Sequence, residues 1–271
     1  MKRNNKVGIY IDAVDITMSG GFGLRYDILR KFATRDGCMA ARMNVYLAYD
    51  KARMAEDDNY KQKTTRFCEV LRDFEYKVIK RPFDESYSAS RDEREHKAML
   101  EMEMACDIIT QGRELDRIIL LSHQESFIYV IDALQSLGKR VEVVGFDGIT
   151  TRLKHTADLY VSGYTIPGLL PIKTPYEWGT VGSRVRGVCY DFSHNDGYGF
   201  LRYLNIIDEH LWITDSRSPQ SPYKTVFAHV SQFESDFDSS YLPSRELIFE
   251  FDLVKNEKGL VAQNIVLVSA P

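Results

Sequence analysis

The hydrophobic period of this chain changes once, near residue 163, and that change limits the folds open to it. Up to residue 162 short apolar runs alternate with segments of helical spacing; beyond residue 183 only short β-rich segments remain. The runs 7–11, 43–49, 76–80, 117–121, 141–144 and 159–161 read as strands, and 26–34, 59–74, 95–110 and 126–136 as helices. In the helix over 95–110, Ala98, Met102, Ala105 and Ile109 form one stripe; Gly138 stops the helix over 126–136. Strands separated by helices need crossover connections, so the α/β part should hold a parallel sheet covered on both faces. The segment 163–182 carries Pro167, Pro171 and Pro175 without a period, and reads as a linker able to dock on one domain. The segments 184–192, 198–204, 224–229, 247–254 and 261–268 then predict a small barrel. The expected organisation is an α/β domain over 1–162, a Pro-containing linker over 163–182 and an all-β, five-stranded barrel over 183–271. An extra hairpin around Leu211, Trp212 and Ile213 is expected in the long connection 202–225.

Composition bounds the partners. A chain of 271 residues can bury two cores, and a net charge of -4 excludes a histone-like mode of binding. Any nucleic-acid contact must come from stacking or from a local basic patch. The four cysteines, Cys38, Cys68, Cys106 and Cys189, have no C-x-x-C spacing, which argues against zinc ribbons and redox pairs and fits free thiols in a reducing cytoplasm. The start MKRNNKVGIYID lacks the apolar stretch of a signal peptide, and no run is long enough to span a bilayer. A cytoplasmic protein with no membrane partner is the expectation.

The region 183–271 carries an aromatic pattern. In Gly197-Tyr198-Gly199-Phe200 the two rings share one strand face, and the glycines admit either a nucleic-acid backbone or a neighbouring strand. Phe227 and His229 are also two apart. If the two strands pair, the four rings form one platform, on which each stacked base is worth roughly 1–3 kcal/mol whatever its identity. The bland alternative is that the rings fill a barrel core; two ordered pairs with intervening glycines favour the platform. The residues Gly187, Phe192, Gly197-Tyr198-Gly199-Phe200, Val226-Phe227-Ala228-His229-Val230-Ser231, Ile248-Phe249-Glu250-Phe251 and 258–265 together resemble a cold-shock domain, an OB-type barrel. The resemblance implies that Phe192, Tyr198, Phe200, Phe227 and His229 contact the bases of single-stranded RNA, with DNA as the alternative. It also has departures. Tyr190 and Asp191 stand where that family has lysine and tryptophan, and Asp196 where it has lysine, changes that should lower affinity and salt dependence. Trp212 and Tyr223 could replace the missing ring or simply pack.

The α/β part points to different chemistry. In parallel sheets functional groups collect at the carboxyl ends of strands. Here those ends carry Asp12, residues 122–125, Phe146 and Asp147. Glu101, Glu103 and Asp107 lie on the helix over 95–110. A metal-dependent nuclease needs several carboxylates converging on one or two ions. The run Val7-Gly8-Ile9-Tyr10-Ile11-Asp12-Ala13-Val14-Asp15, the segment 97–107, Leu120-Leu121-Ser122-His123-Gln124-Glu125-Ser126-Phe127, the segment 137–145, and Leu153 with Ala157-Asp158-Leu159-Tyr160 resemble, in order, the motifs of NYN domains, the PIN-like RNase fold. The resemblance covers 6–162 and implies Mg²⁺ or Mn²⁺ held by Asp12, Glu101 and Asp107, with Glu125 as a further catalytic candidate. Departures weaken it. Gln124 and Ser126 stand where the family has aspartates, and Val14 where it has asparagine.

Three readings follow: a degenerate domain that clamps RNA or docks a protein partner, an active endoribonuclease, or a scaffold that touches no nucleic acid. Asp191 and Asp196 keep the third open. The plain alternatives are a turn hydrogen bond for Asp12 and solvated helix surface for the helical acids. Lys61, Lys63, Arg66, Lys77, Lys80 and Arg81 form the best basic cluster, Arg152 and Lys154 a smaller one, and the charged run 85–95 reads as a loop.

Overall fold

The structure is a computed structural model that describes residues 5–83, 92–257 and 259–270, with 92–97 described in backbone only. The first eleven elements are β1 (Lys6–Asp12), α1 (Ala13–Met18), α2 (Tyr26–Ala33), β2 (Met39–Asp50), α3 (Lys51–Glu56), α4 (Asp58–Asp73), β3 (Lys77–Phe83), α5 (Asp92–Gly112), β4 (Arg117–Leu121), α6 (Ile128–Ser136) and β5 (Arg140–Gly145). They are followed by α7 (Thr151–Thr156), β6 (Leu159–Ser162), β7 (Arg184–Ser193), β8 (Tyr198–Leu204), β9 (Tyr223–His229), β10 (Ser244–Asn256) and β11 (Gly259–Ser269). Of the charged run 85–95, residues 85–91 lie outside the described residues and 92–95 already belong to α5.

The first six strands form a parallel sheet in the order β3-β2-β1-β4-β5-β6. β1 lies between β2 and β4, and every residue from Val7 to Asp12 is buried, which is why the run reads as continuously apolar. α5 covers the sheet with Leu100, Met104 and Ile108. This corrects the expected stripe: Met102 is 67% exposed and Ala98 is exposed, while Ala105 and Ile109 pack only at the margin. The helix is apolar on more than one side, and packing selected the bulkier row.

The chain divides into two compact units. One holds Met1–Phe22, Gly37–Gly145 and Ile149–Val161; the other holds Gly23–Asp36, Phe146–Gly148 and Ser162–Pro271. In the second unit the five strands β10-β11-β9-β8-β7 close into a barrel. Its core includes Cys189, Leu201, Tyr203, Val226, Phe249 and Phe251. β8 alternates cleanly, with Gly199, Leu201 and Tyr203 inward and Tyr198, Phe200 and Arg202 outward. The Pro-containing segment is docked within this unit: Ile166 and Leu169 are buried, and the Trp178 indole donates to the Leu204 carbonyl at 2.7 Å. The extra hairpin expected around 211–213 does not form. Leu211 turns inward, and the Ile213 N–H closes a turn on the His210 carbonyl at 2.9 Å, so this apolar triplet belongs to a compact loop.

Candidate functional site

Two sets of residues were expected to carry function, and each lies within one unit. The first is the carboxyl end of β1 and β4. Asp12 ends β1 and is buried; its side chain accepts the Asp15 N–H at 3.0 Å and so caps α1. Asp15, in the first turn of α1, is also buried and organises the loop after β4. Its carboxylate accepts the His123 N–H at 2.6 Å, His123 Nδ1 at 3.2 Å, Ser122 Oγ at 3.3 Å and Gln124 Nε2 at 3.1 Å. A carboxylate donates nothing, so the His123 ring carries its proton on Nδ1. Gln124 therefore spends its amide on Asp15. Sequence reasoning places Asp15 in the opening motif without a role; nothing local signals that it binds a loop more than a hundred residues away.

The other acids have their own partners. Asp107 accepts the Tyr46 hydroxyl at 2.7 Å, beside a network in which Gln111 takes Tyr10 Oη and Asn44 Nδ2, both at 3.2 Å. Burial, and then the hydrogen bond to Asp107, pushes the Tyr46 phenol well above its usual range. Glu125 accepts from Arg152 Nη1 at 3.0 Å, and Glu103 pairs with Arg81, whose Nε donates at 2.8 Å. Glu101 is half-buried on α5. Among the described residues no group of three His, Cys, Asp or Glu is placed to hold a metal ion, so Asp12, Glu101, Asp107 and Glu125 are not brought into one such group. The Mg²⁺ or Mn²⁺ that the fold would imply does not fit these residues. Of the expected basic clusters, Arg81 and Arg152 are in those ion pairs and Lys80 and Lys154 lie over the rings of Tyr49 and Tyr160, while Lys61, Lys63, Arg66 and Lys77 are exposed.

The second set lies on the barrel. β8 and β9 pair antiparallel with Tyr198 opposite His229 and Phe200 opposite Phe227. All four side chains point outward: Tyr198 is 37% and Phe227 36% exposed, His229 is exposed and Phe200 half-buried. The Tyr198 and Phe227 rings lie 5.4 Å apart at 30°, and Phe200 meets Phe227 edge-on at 6.1 Å. His229 Nδ1 accepts the Ser231 N–H at 3.2 Å, which in the neutral ring leaves the proton on Nε2.

One expectation needs amending here. Phe192 is 8% exposed and sits in the barrel core. The register of β7 shifts between Cys189 and Asp191, and this bulge reverses the side-chain parity so that Phe192 turns inward. Gly199 makes room for it: a Cβ there would collide with the Asp191 carbonyl oxygen and lie 2.7 Å from the Phe192 ring. That glycine thus admits a neighbouring strand, not a nucleic-acid backbone. Asp196 accepts Ser193 Oγ at 2.7 Å in the β7–β8 turn. Trp212, 76% exposed on the 205–222 connection, does not pack into the core, whereas Tyr223 is half-buried with its hydroxyl on the Leu211 carbonyl at 3.1 Å.

Residues 6–166 match the model of the NYN domain. No curated protein matches. A solved structure of a protein of unknown function from Vibrio parahaemolyticus is similar at 20% identity with a TM-score of 0.48, covering 60% of this chain and 94% of that one. Among the described residues no helix is long and apolar enough to cross a membrane.

Proposed function

This chain belongs to the NYN domain family, and we propose that it is a single-stranded-RNA-binding protein whose barrel, of OB type and cold-shock-like, captures bases while its NYN domain serves as a non-catalytic clamp or docking surface. The observation that carries the reading is the pair of aromatic ranks, Tyr198 with His229 and Phe200 with Phe227, facing outward in register. Aromatic faces in water are the surfaces on which unpaired bases stack, and they accept every base. The charge of -4 agrees with recognition led by stacking, with few phosphate contacts and a shallow salt dependence.

The non-catalytic reading of the NYN domain is supported by how its acids are engaged. Asp12 caps α1, Asp107 holds Tyr46, and Glu125 holds Arg152. The rival is an Mg²⁺- or Mn²⁺-dependent endoribonuclease built on Asp12. One experiment addresses both. End-labelled oligo-U is titrated with the full-length protein, with and without Mg²⁺ or Mn²⁺, and followed by anisotropy and on a gel. The expected outcome is saturable binding without cleavage, weakened about 10- to 100-fold by Phe227→Ala. Absence of binding removes the RNA reading. Cleavage that Asp12→Asn abolishes replaces the clamp by an enzyme.

A further inference from the structure

The outward face of β8 and β9 carries a third rank beyond the two aromatic ones: Arg202 opposite Thr225. The Arg202 guanidinium carbon lies 5.3 Å from the Tyr190 ring centre and 5.5 Å from that of Tyr223, so the cation is held between two aromatic rings. Its Nη1 donates to the Thr214 carbonyl at 3.2 Å, and among the described residues no carboxylate pairs with it. The contrast within the same barrel is direct. Arg184 and Arg186 are neutralised by Glu250 and Asp252 at 2.7–2.9 Å. Arg202 meets no such counter-charge, and Arg245 is close enough to repel it. Burial, opposed by the two tyrosines, draws its pKa down, yet a guanidinium remains charged at any physiological pH. A half-buried cation without an anion is costly unless a ligand supplies one.

The site is also built. The 205–222 connection bonds both members of this rank, Arg202 through the Thr214 carbonyl and Thr225 through Ser216 Oγ at 2.7 Å. Ser221 Oγ fixes the same loop on the Ile213 carbonyl at 2.7 Å. With one of its five N–H donors used on Thr214, the guanidinium keeps donors for a forked contact with an oxyanion.

We propose that Arg202 binds a phosphate group of the strand whose bases stack on Tyr198, Phe200, Phe227 and His229. The proposal rests on the stacking reading and adds to it the position of the backbone. A base on the Phe200–Phe227 rank places its phosphate one rank along β8, where Arg202 stands between its two rings. The phosphate comes either from a strand terminus, as the loop closing this rank would suit, or from an internal phosphodiester.

The test uses full-length protein and oligo-U carrying a 5′-phosphate, a 3′-phosphate or neither, titrated across a range of salt. Arg202→Gln is expected to weaken binding about 10-fold and to flatten the slope of log affinity against log salt by about 0.7, the value for one phosphate on a single strand. Arg202→Lys should keep the slope and recover only part of the affinity, because the fork is lost. A preference for one phosphorylated end assigns the group to a terminus; equal affinity with the same loss of slope assigns it to the internal backbone. A wild-type measurement covers the case in which Arg202→Gln misfolds: uridine 5′-monophosphate, but not uridine, should shift the Arg202 Nε–H resonance saturably. If Phe227→Ala loses binding while Arg202→Gln keeps both affinity and slope, Arg202 is overturned and stacking stands. If the wild type binds no oligo-U, both fall.

Discussion

The strand-end cluster of the sheet and the outward aromatic face of the barrel treat their side chains in opposite ways. At the strand end the lone pairs of the carboxylates are given to the protein. Asp15 alone accepts from the backbone and ring of His123, from the Gln124 amide and from the Ser122 hydroxyl. On the barrel Tyr198 and Phe227 remain more than a third exposed. A carboxylate acts through its lone pairs, so each one donated to is withheld from a metal. A ring acts through its face, so exposure is what keeps it available. Gln124 brings no charge to repel Asp15, and its amide donates to that carboxylate at 3.1 Å.

If the strand-end cluster is structural, its removal should cost stability and spare binding. Asp15→Ala leaves the donors of His123, Gln124 and Ser122 without a buried acceptor. The expected loss is about 2–4 kcal/mol of unfolding free energy, read by urea denaturation, with oligo-U affinity unchanged under folding conditions. Unchanged stability with lost RNA binding or lost RNA cleavage would make the cluster the functional site and reverse the comparison.

A second variant tests the support beneath the barrel face. The Cβ of Gly199→Ala would press on the Asp191 carbonyl oxygen and the Phe192 ring of β7, neither of which is the free end of a flexible side chain. A loss of about 1–3 kcal/mol is expected, as for overpacked cores, together with weaker oligo-U binding because Tyr198 and Phe200 flank the distorted position. Retained stability and full binding would show that the β7–β8 seam is looser than its packing implies.

Much of the fold was legible because strong local patterns and tertiary packing agree. The apolar runs at β1 and β4 are buried on both sides, and the alternation through Gly199, Leu201 and Tyr203 is the barrel wall itself. What escaped the sequence has identifiable causes. α1 and α7 span six residues each, less than two turns, so no helical period can develop. The α5 stripe was misplaced because two apolar rows compete on one helix. Phe192 was placed among the base-contacting rings by resemblance, and a single bulge between Cys189 and Asp191 inverts side-chain parity so that it turns inward. Asp12 was legible as a strand-end acid, with the turn hydrogen bond as its plain alternative, and that bond is present. Asp15 was not, because its partners come from a loop brought near only by the pairing of β1 with β4. Arg202 was invisible for a like reason: Tyr190, Thr214 and Tyr223 meet it only once the barrel closes.

The smallest expected effect is a difference in thiol chemistry that reports on the same seam. Cys189 is buried in the barrel core, and burial pushes its thiol up to about 11, while Cys106 on α5 is exposed. The thiolate is the reactive form, so at pH 8 a group titrating near 11 offers about one part in a thousand of it, before access is considered. Iodoacetamide at pH 8 should therefore label Cys106 and leave Cys189 unmodified in the native protein, as peptide mass spectrometry would show. In Gly199→Ala, where β7 must yield, Cys189 should become measurably labelled while Cys106 keeps its rate. Rapid labelling of Cys189 in the wild type would mean that the wall carrying the aromatic ranks opens readily. The outward rings would then be a transient surface, and the contrast between a sealed acid cluster and a standing aromatic face would lose its second half.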